Sequence, residues 1–301
     1  MKKQNILVVG AGQAGFQICS NLRQKGFDGH IQLVGEELSL PYQRPPLSKK
    51  FITGEIEASN LSFRNSDFFQ ENDIELITDL HIEEIDLKNN IASGKSGKLH
   101  FDKLALTTGT RSRNLEILGN HLSGIHNLRS IHDAERLKAG IDQTNNIVIV
   151  GGGFIGLEIA ATLSKLGKNV TLLESSTRVM TRAVSMITSN FFEEYHAENG
   201  VRIITLATVM EFRGKGSVEE VVLADGRRIP CDLVLTSIGA IPNIELAEYA
   251  GLKCGNGIYV DKSCVTSASH IVSAGDCALH FNRFAGHFIR LESVQDRKSV
   301  V

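Results

Sequence analysis

Residues 147–174 contain the pattern that most restricts how this chain can fold. Four β-branched residues (147–150) run into the turn GGGFIG (151–156), a helical pattern follows, and a second apolar run ends at Glu174. This order of strand, glycine turn, helix, strand and acid is the βαβ fingerprint for one dinucleotide. Residues 6–36 repeat the order. Two copies in a chain of 301 residues predict an α/β fold that holds two dinucleotides close together.

The first glycine turn is GAGQAG at residues 10–15. In such a turn the first glycine permits a tight bend, the second lets the backbone approach a pyrophosphate, and the third allows helix and strand to pack closely. The phosphates would lie at the helix N-terminus, where free N–H groups and the helix dipole favour negative charge. Glu36 follows the second strand, where an acid can bind the hydroxyls of a ribose.

Glu174 takes this place in the second fingerprint and favours NADH over NADPH. A carboxylate pairs with free 2′ and 3′ hydroxyls and repels a 2′-phosphate. Arg178 is near enough in sequence to reduce that repulsion, so NADPH is kept as the second choice.

Two charged residues each allow a structural and a functional interpretation. We place Glu158 in the first turn of the second fingerprint's helix, where a carboxylate complements the helix dipole without binding a ligand. Lys49 ends the stiff segment at residues 40–50, which carries three of the chain's five prolines and cannot lie inside a helix or sheet. That segment is either a rigid surface connection or a wall beside a planar cofactor, with Lys49 as a donor or positive charge.

Composition argues against several functional classes. The net charge of −2 provides no basic field for nucleic acid or anionic membranes. No stretch offers about 18 uninterrupted apolar residues for a membrane span, and the glycines of the first turn interrupt the N-terminal apolar run too early for a signal peptide. The five cysteines are scattered and form no C-x-x-C pair, which is typical of free thiols in a reducing cytoplasm. We expect no metal site.

Nine sequence blocks between residues 5 and 295 carry a specific resemblance. In order they are VVGAGQAG, LVGEE, LPYQRPPLSK, LALTTGTRSR, IVIVGGGFIGLEIA, TLLE, TSIGAIPN, VSAGDCA and RLESVQ. With them the chain resembles the FAD-dependent NAD(P)H ferredoxin and rubredoxin reductases, a family of putidaredoxin reductase-like proteins and dioxygenase reductase components. The resemblance implies two Rossmann-like dinucleotide-binding domains, as in the glutathione reductase-like two-domain flavoproteins.

The resemblance also implies an activity. Such a flavoprotein oxidoreductase takes a hydride from NADH onto FAD and passes single electrons to an iron–sulfur protein, a ferredoxin or rubredoxin that serves an oxygenase. The alternatives are the reductase part of a nitrite-assimilation system and a non-catalytic NAD(H)-sensing flavoprotein resembling apoptosis-inducing factor. The chain lacks the paired cysteines that disulfide reductases of this superfamily use, and the single cysteine of the NADH-oxidase and peroxidase relatives.

The family's cofactor contacts transfer residue by residue. Those implied for FAD are Gly10, Gly12, Ala14, Gly15, Glu36, Lys49, Ile82 (through its backbone), Arg129, Asp276 and Val294. Those implied for NADH are Gly151, Gly153, Ile155, Gly156, Glu158, Glu174 and Gly239. Lys49, beside the isoalloxazine ring, and Glu158, facing the nicotinamide, form the implied catalytic pair.

The same resemblance implies the domain organisation. FAD-binding segments are expected at residues 1–113 and 241–301, with the NAD(P)H-binding domain inserted at 114–240. Members of the family continue beyond the block ESVQ into a C-terminal interface domain, and we expect that domain to be absent here because the chain ends soon after this block.

Overall fold

The computed structural model of the chain describes residues 4–95 and 97–293. The strands are β1 (Asn5–Val9), β2 (His30–Val34), β3 (Ile74–Ile77), β4 (Glu84–Asp86), β5 (Ile91–Gly94), β6 (Gly97–His100), β7 (Lys103–Leu106), β8 (Thr110–Ser112), β9 (Ile125–His126), β10 (Asn146–Val150), β11 (Asn169–Leu173), β12 (Val201–Ile204), β13 (Val209–Arg213), β14 (Glu220–Leu223), β15 (Arg228–Pro230), β16 (Leu233–Thr236), β17 (Ala240–Pro242), β18 (Cys254–Gly255), β19 (Gly257–Val260), β20 (Ile271–Ser273), β21 (Ala278–Asn282) and β22 (His287–Ile289). The helices are α1 (Gln13–Gln24), α2 (Ser66–Glu71), α3 (Ile131–Asp142), α4 (Phe154–Lys165), α5 (Met186–Glu198) and α6 (Glu245–Tyr249), with 3₁₀ turns at Pro45–Ser48 and Ala58–Leu61.

The chain forms two compact units. Unit 1 comprises the described residues of Met1–Gln43, Ser62–Arg111 and Pro242–Val301, and unit 2 comprises Arg44–Leu61 and Ser112–Ile241. The chain therefore passes between the units at residues 43–44 and 61–62 and within β8 and β17. Residues 44–61, which were predicted to lie in the first FAD-binding segment, belong to unit 2. The assignment of one dinucleotide to each unit stays a prediction.

Unit 1 is built on a parallel sheet with the strand order β20-β7-β1-β2-β3. Its strands are short apolar runs because a parallel sheet is covered on both faces. Helix α1 connects β1 to β2 and packs Ala14, Ile18 and Cys19 against the sheet. Two smaller sheets complete the unit, with the orders β4-β5-β6 and β18-β19-β21-β22.

Unit 2 repeats this plan. Its parallel sheet has the order β12-β11-β10-β16-β9, and α4 connects β10 to β11 as α1 connects β1 to β2. A three-stranded antiparallel sheet, β13-β14-β15, precedes β16 in sequence, as β4-β5-β6 precedes β7 in unit 1. The predicted α/β fold with two Rossmann-like units is confirmed.

None of the five cysteines, all of which lie in the described part of the chain, forms a disulfide. Burial raises the pKa of Cys19 to about 12, and burial together with the charge of Asp232 raises the pKa of Cys231 to about 12. Because the thiolate is the reactive form, these two side chains act as packing groups.

Two features of the described residues bear on the expectations drawn from composition. Among the residues that the structure describes, no helix is both long and apolar enough to cross a membrane. Within the same residues, no group of three or more His, Cys, Asp or Glu side chains is arranged to hold a metal ion.

Candidate functional site

In the first glycine turn, two of the glycines leave no room for a side chain, and the third has empty space beside it. Gly10 has φ +110°, and a Cβ added to it would lie within 3.0 Å of the Thr107 carbonyl oxygen. A Cβ on Gly15 would lie within 3.0 Å of the Gly10 oxygen, so α1 and β1 pack together only because that atom is missing. A Cβ on Gly12 would meet nothing within 4 Å. The fold requires Gly10 and Gly15, whereas the space beside Gly12 is available to a ligand.

The second turn has the same geometry. Gly151 also has φ +110°, and a Cβ there would lie within 3.0 Å of the Ser237 carbonyl oxygen. A Cβ on Gly156 would lie within 3.0 Å of the Gly151 oxygen, and one on Gly153 would meet nothing within 4 Å. The open space therefore recurs at the second fingerprint glycine.

Both turns lead into helices with uncapped N-termini. Gly12 and Gly153 are the N-cap residues of α1 and α4, and neither helix receives a side-chain hydrogen bond at this end or has an acid in its first turn. The first N–H groups of a helix need partners that the helix itself cannot supply. An open space, free donors and the helix dipole together fit the pyrophosphate of a dinucleotide. Ile155, in the first turn of α4, is exposed beside this end.

The two ribose-binding candidates do not occupy equivalent positions. The N–H of Gly35 donates to Ile77 O at 2.9 Å, and the N–H of Glu174 donates to Ile204 O at 2.9 Å, so Gly35 is the counterpart of Glu174. Glu36 therefore lies one residue further along the chain. Its carboxylate is exposed and pairs with His81 Nδ1 at 3.1 Å.

The one-residue offset has a steric cause. A Cβ on Gly35 would lie 2.7 Å from the Cβ of Ala11, so no side chain fits there in unit 1. In unit 2 the residue corresponding to Ala11 is Gly152, and its missing Cβ leaves room for the side chain of Glu174. Glu174 Oε2 accepts from the Gly152 N–H at 2.8 Å, which fixes the carboxylate beside the glycine turn.

Glu174 is further oriented by the loop that follows it. Its Oε1 accepts from the Ser176 N–H at 2.7 Å. Oε1 also accepts from Ser175 Oγ at 3.4 Å. A carboxylate oxygen has about two acceptor sites, so Oε2 can still accept from a ribose hydroxyl. Arg178, which the sequence suggested could reduce the repulsion of a 2′-phosphate, makes its hydrogen bonds within the loop and to α5. Its guanidinium donates to Val184 O and Thr181 O at 3.0 Å each and to Ser189 Oγ, which ties the loop to α5.

The implied catalytic pair is in direct contact within unit 2. Lys49 Nζ lies 2.6 Å from Glu158 Oε2. Glu158 is the fifth residue of α4, so its placement in the first helical turn was wrong, and the helix-dipole interpretation loses support because the dipole acts mainly in the first turn. The two side chains are 48% and 37% exposed, and such ion pairs add about 0–1 kcal/mol to stability. Stabilisation of the folded protein is therefore a poor explanation for the Lys49–Glu158 ion pair.

Sequence reasoning missed the residues that orient this pair. The hydroxyl of the buried Ser48 donates to Glu158 Oε2 at 2.6 Å, alongside Lys49. Thr162 Oγ1, one turn further along α4, donates to Ser48 O at 3.0 Å and joins the 3₁₀ turn to the helix. Ser48 is adjacent to Lys49 in the block PPLSK, and that proximity was the available signal. The 3₁₀ turn explains the prolines, because their fixed φ suits the start of a helical turn.

The remaining candidates are distributed over both units. Arg129, like Lys49, lies in unit 2, although both were assigned to FAD. The carbonyl of Arg129 accepts from Arg44 Nη1, and its N–H donates to Asp133 Oδ2 at 3.0 Å. Gly239 has φ +108° and accepts from the Arg113 N–H at 3.0 Å.

In unit 1, the buried Asp276 lies beyond the carboxyl end of β20. Its Oδ2 accepts from Thr110 Oγ1 at 3.4 Å, and its carbonyl accepts from Arg290 Nη1 at 2.9 Å. The side chain of Ile82 is buried in the core, so only its backbone can face a ligand. Ala14 is buried in α1. Val294 lies outside the described residues.

Comparisons with known proteins agree with this arrangement. Residues 4–296 match the family described as pyridine nucleotide-disulphide oxidoreductase. The rubredoxin–NAD⁺ reductase of Ectopseudomonas oleovorans is 40% identical, over 97% of this chain and 76% of that protein. The putidaredoxin reductase of Pseudomonas putida is 37% identical, over 96% of this chain and 70% of that protein.

Solved structures give the same result. The ferredoxin reductase of the CYP199A2 system from Rhodopseudomonas palustris superposes with a TM-score of 0.96 at 38% identity, covering 99% of this chain and 74% of that one. The reductase in a covalent putidaredoxin reductase–putidaredoxin complex gives a TM-score of 0.95 at 36% identity, covering 99% and 73%. The chain thus belongs to the pyridine nucleotide-disulphide oxidoreductase family and, within it, to the ferredoxin and rubredoxin reductases.

Proposed function

We propose that the protein is an FAD-dependent NADH:ferredoxin or rubredoxin oxidoreductase. The observation that carries the proposal is the repeated turn, in which an open second glycine precedes an uncapped helix in each unit. A chain with two such turns has a place for two dinucleotides. Family membership identifies them as FAD and a nicotinamide nucleotide.

In this proposal, the residues of the first fingerprint bind FAD and those of the second bind NADH. Gly10, Gly12 and Gly15 admit the pyrophosphate of FAD to unit 1, and Glu36 binds its ribose. Gly151, Gly153 and Gly156 do the same for NADH in unit 2, where Glu174 binds the ribose diol. When bound, FAD accepts the hydride of NADH and releases electrons singly, which allows a two-electron donor to serve a one-electron acceptor.

Glu158 positions the nicotinamide in this scheme. Its Oε2 already accepts from Ser48 and Lys49. In residues 4–95 and 97–293, Oε1 has no hydrogen-bond partner, and it is free to accept from the carboxamide group. Lys49 and Ser48 hold the carboxylate in one orientation, which keeps the ring in place for transfer.

The electron acceptor is an iron–sulfur protein serving an oxygenase. The relatives include reductases of rubredoxin and putidaredoxin and the ferredoxin–NAD⁺ reductase component of a 3-phenylpropionate/cinnamic acid dioxygenase. No observation favours the nitrite-assimilation or NAD(H)-sensing alternatives. We place the enzyme in the cytoplasm, since its free, scattered cysteines suit a reducing compartment.

The proposal predicts an NADH-dependent electron path. The full chain reconstituted with FAD should lose its yellow absorbance within seconds when NADH is added anaerobically. It should then reduce cytochrome c rapidly only when a ferredoxin or rubredoxin is added as carrier. Lack of FAD binding would contradict the cofactor assignment, and reduction that no carrier accelerates would contradict the partner assignment.

The preference for NADH should depend on the charge of Glu174. Replacing Glu174 with glutamine keeps an acceptor for one loop amide and removes the charge that repels a 2′-phosphate. The ratio of kcat/KM for NADH to that for NADPH should fall at least about tenfold, or about 1.4 kcal/mol. Glu135→Ala, which removes an exposed acid of α3, is the control and should leave the ratio unchanged. An equal ratio in both variants would refute the role of Glu174.

A further inference from the structure

Leu206 follows β12 in unit 2 and combines two features that are uncommon for leucine. Its backbone is left-handed, with φ +53°, and its side chain is 66% exposed. The left-handed region brings the Cβ of an L-residue close to the following carbonyl oxygen, and few residues other than glycine, asparagine and aspartate enter it readily. A single exposed leucine is ordinary at a protein surface. An exposed leucine in a strained conformation, however, gains little from burial to offset the strain.

Hydrogen bonds fix Leu206 beside the acid of the second fingerprint. Its N–H donates to Ser176 O at 3.0 Å, and the N–H of the next residue, Ala207, donates to Glu174 O at 2.9 Å. Ser176 is also the residue whose N–H donates to the Glu174 carboxylate. The loop after β12 therefore lies against the loop after β11, at the carboxyl edge of the parallel sheet of unit 2.

The internal repeat shows that this turn does not require leucine. In unit 1 the N–H of Asp79 donates to Glu37 O at 3.3 Å, and that of Leu80 donates to Gly35 O at 3.0 Å. Because Gly35 is the counterpart of the acid in unit 2, Asp79 is the counterpart of Leu206, and its φ is +57°. Aspartate tolerates this conformation. The same turn thus forms with a well-suited residue in unit 1 and with a poorly suited one in unit 2.

The order of the strands indicates which part of a dinucleotide lies nearest Leu206. In the sheet of unit 2, β11 lies between β10 and β12. The glycine turn that admits the pyrophosphate follows β10, and Glu174, the acid for the ribose, follows β11. The phosphate and the base are attached at opposite ends of a ribose. A base whose ribose is held at β11 therefore extends away from β10, toward the loop after β12 that contains Leu206.

The leucine side chain suits the face of an adenine ring. The polar atoms of adenine lie in the plane of the ring, so its face offers a flat surface for apolar contact. Contact with that face removes the exposed leucine from water, which is favourable. Cofactor sites are lined mainly by apolar side chains, with a few polar groups that fix the orientation. Here Glu174 supplies the polar group and Leu206 the apolar one.

We propose that Leu206 is a coenzyme-binding residue that packs against the adenine ring of NADH. The contact is made only when the nucleotide is bound, which accounts for an exposed leucine in a left-handed turn. The inference rests on the proposed function, in which unit 2 binds NADH. It assigns Leu206 to the affinity for the adenosine half of the coenzyme and gives it no part in hydride transfer.

Calorimetric titration of the full FAD-bound chain with ADP-ribose, which is the coenzyme without its nicotinamide, tests the contact. Leu206→Asn introduces a side chain that tolerates left-handed backbone. The Kd for ADP-ribose should rise about tenfold because the burial of leucine is lost, and the temperature of unfolding without coenzyme should be no lower than that of the parent. Leu206→Met keeps an apolar side chain and should bind like the parent. Leu118→Asn, which removes another exposed leucine of unit 2, is the matched control and should also bind like the parent.

The outcomes separate this inference from the proposed function. If Leu206→Asn bound ADP-ribose like the parent, the inference would be overturned and the proposed function would stand. Weaker binding together with a lower unfolding temperature would assign Leu206 to the fold and overturn the inference as well. A parent that does not bind ADP-ribose would contradict the binding of NADH in unit 2, and the inference with it. In anaerobic stopped-flow reduction of FAD, Leu206→Asn should need more NADH for the half-maximal rate and keep the limiting rate of the parent, and a lower limiting rate would contradict the restriction to the adenosine half.

Discussion

Replacing Lys49 with methionine is expected to slow the reduction of bound FAD by NADH about 10²-fold, a loss of about 2.7 kcal/mol in transition-state stabilisation. In the proposed mechanism, Lys49 and Ser48 hold the carboxylate of Glu158 in the orientation that positions the nicotinamide. Methionine keeps the length of the side chain and removes the ammonium that lies 2.6 Å from Glu158. Anaerobic stopped-flow measurement of flavin bleaching gives the rate directly.

A double-mutant cycle separates the pair from its individual members. Glu158→Gln should also slow flavin reduction, and the double variant should be no slower than the worse single variant, because residues in contact act as one unit. Lys50→Met is the matched control, since it removes the neighbouring exposed ammonium. The result would contradict the assignment if Lys49→Met matched Lys50→Met, or if the two single effects simply added.

Unfolding cannot account for such a loss of rate. Both members of the pair are more than a third exposed, so its removal should change the free energy of unfolding by no more than about 1 kcal/mol. The hydrogen bond from Ser48 to Glu158, at 2.6 Å, does not involve Lys49 and is expected to persist when Lys49 is replaced. Thermal unfolding of the variants should therefore agree with that of the parent.

The structural features that the sequence predicted well depend on steric requirements of a few neighbouring residues. Gly10 and Gly151 follow apolar strands, and their φ of +110° together with the nearby carbonyl oxygens leaves no place for a side chain. A steric rule of this kind leaves a recognisable spacing in the sequence. The hairpin turn at Asp225-Gly226, between β14 and β15, has a local cause of the same kind, since Gly226 has φ +86°.

The parts that sequence missed depend on residues far apart in the chain. In each unit, one residue of the glycine turn decides where the acid lies relative to the second strand. Ala11 leaves room for the acid only one residue after that position in unit 1, and Gly152 lets it follow the strand directly in unit 2. The two copies looked equivalent because periodicity does not reveal that contact. Residues 44–61 likewise pack with unit 2 through distant partners. Ser48 forms hydrogen bonds with Glu158 and Thr162, each more than 100 residues away in the sequence.

Helix α5 shows a different limit, because its stripe of Ile187, Phe191 and Tyr195, spaced four residues apart, is exposed. Spacing of four residues predicts a helix with an apolar face, and the usual inference is that this face turns toward the core. In α5 the phase is reversed, with Ser189 and His196 inward. Periodicity gives the element and its stripe but not the direction in which the stripe points.

Placing serine at the second glycine of each turn should separate folding from cofactor binding. Gly12 and Gly153 have the extended backbone of an N-cap, with φ of −84° and −83°, and a Cβ on either meets nothing within 4 Å. Serine is also a preferred N-cap residue, whose hydroxyl accepts from the first N–H groups of the helix. Each substitution should therefore leave the protein without cofactor at least as stable as the parent, as measured by thermal unfolding.

The same serines should obstruct the phosphates, because the side chain fills the open space and takes the donors that a pyrophosphate needs. Gly12→Ser should weaken FAD binding at least about tenfold, or about 1.4 kcal/mol, measured by fluorescence titration of the protein without FAD. Gly153→Ser should retain FAD and raise the Kd for NAD⁺ by a similar factor. Gly15→Ala is the contrasting variant, since its Cβ would collide with the Gly10 oxygen and destabilise the fold itself. If Gly12→Ser bound FAD like the parent, or if Gly153→Ser lost FAD and kept NAD⁺, the assignment of one dinucleotide to each turn would be wrong.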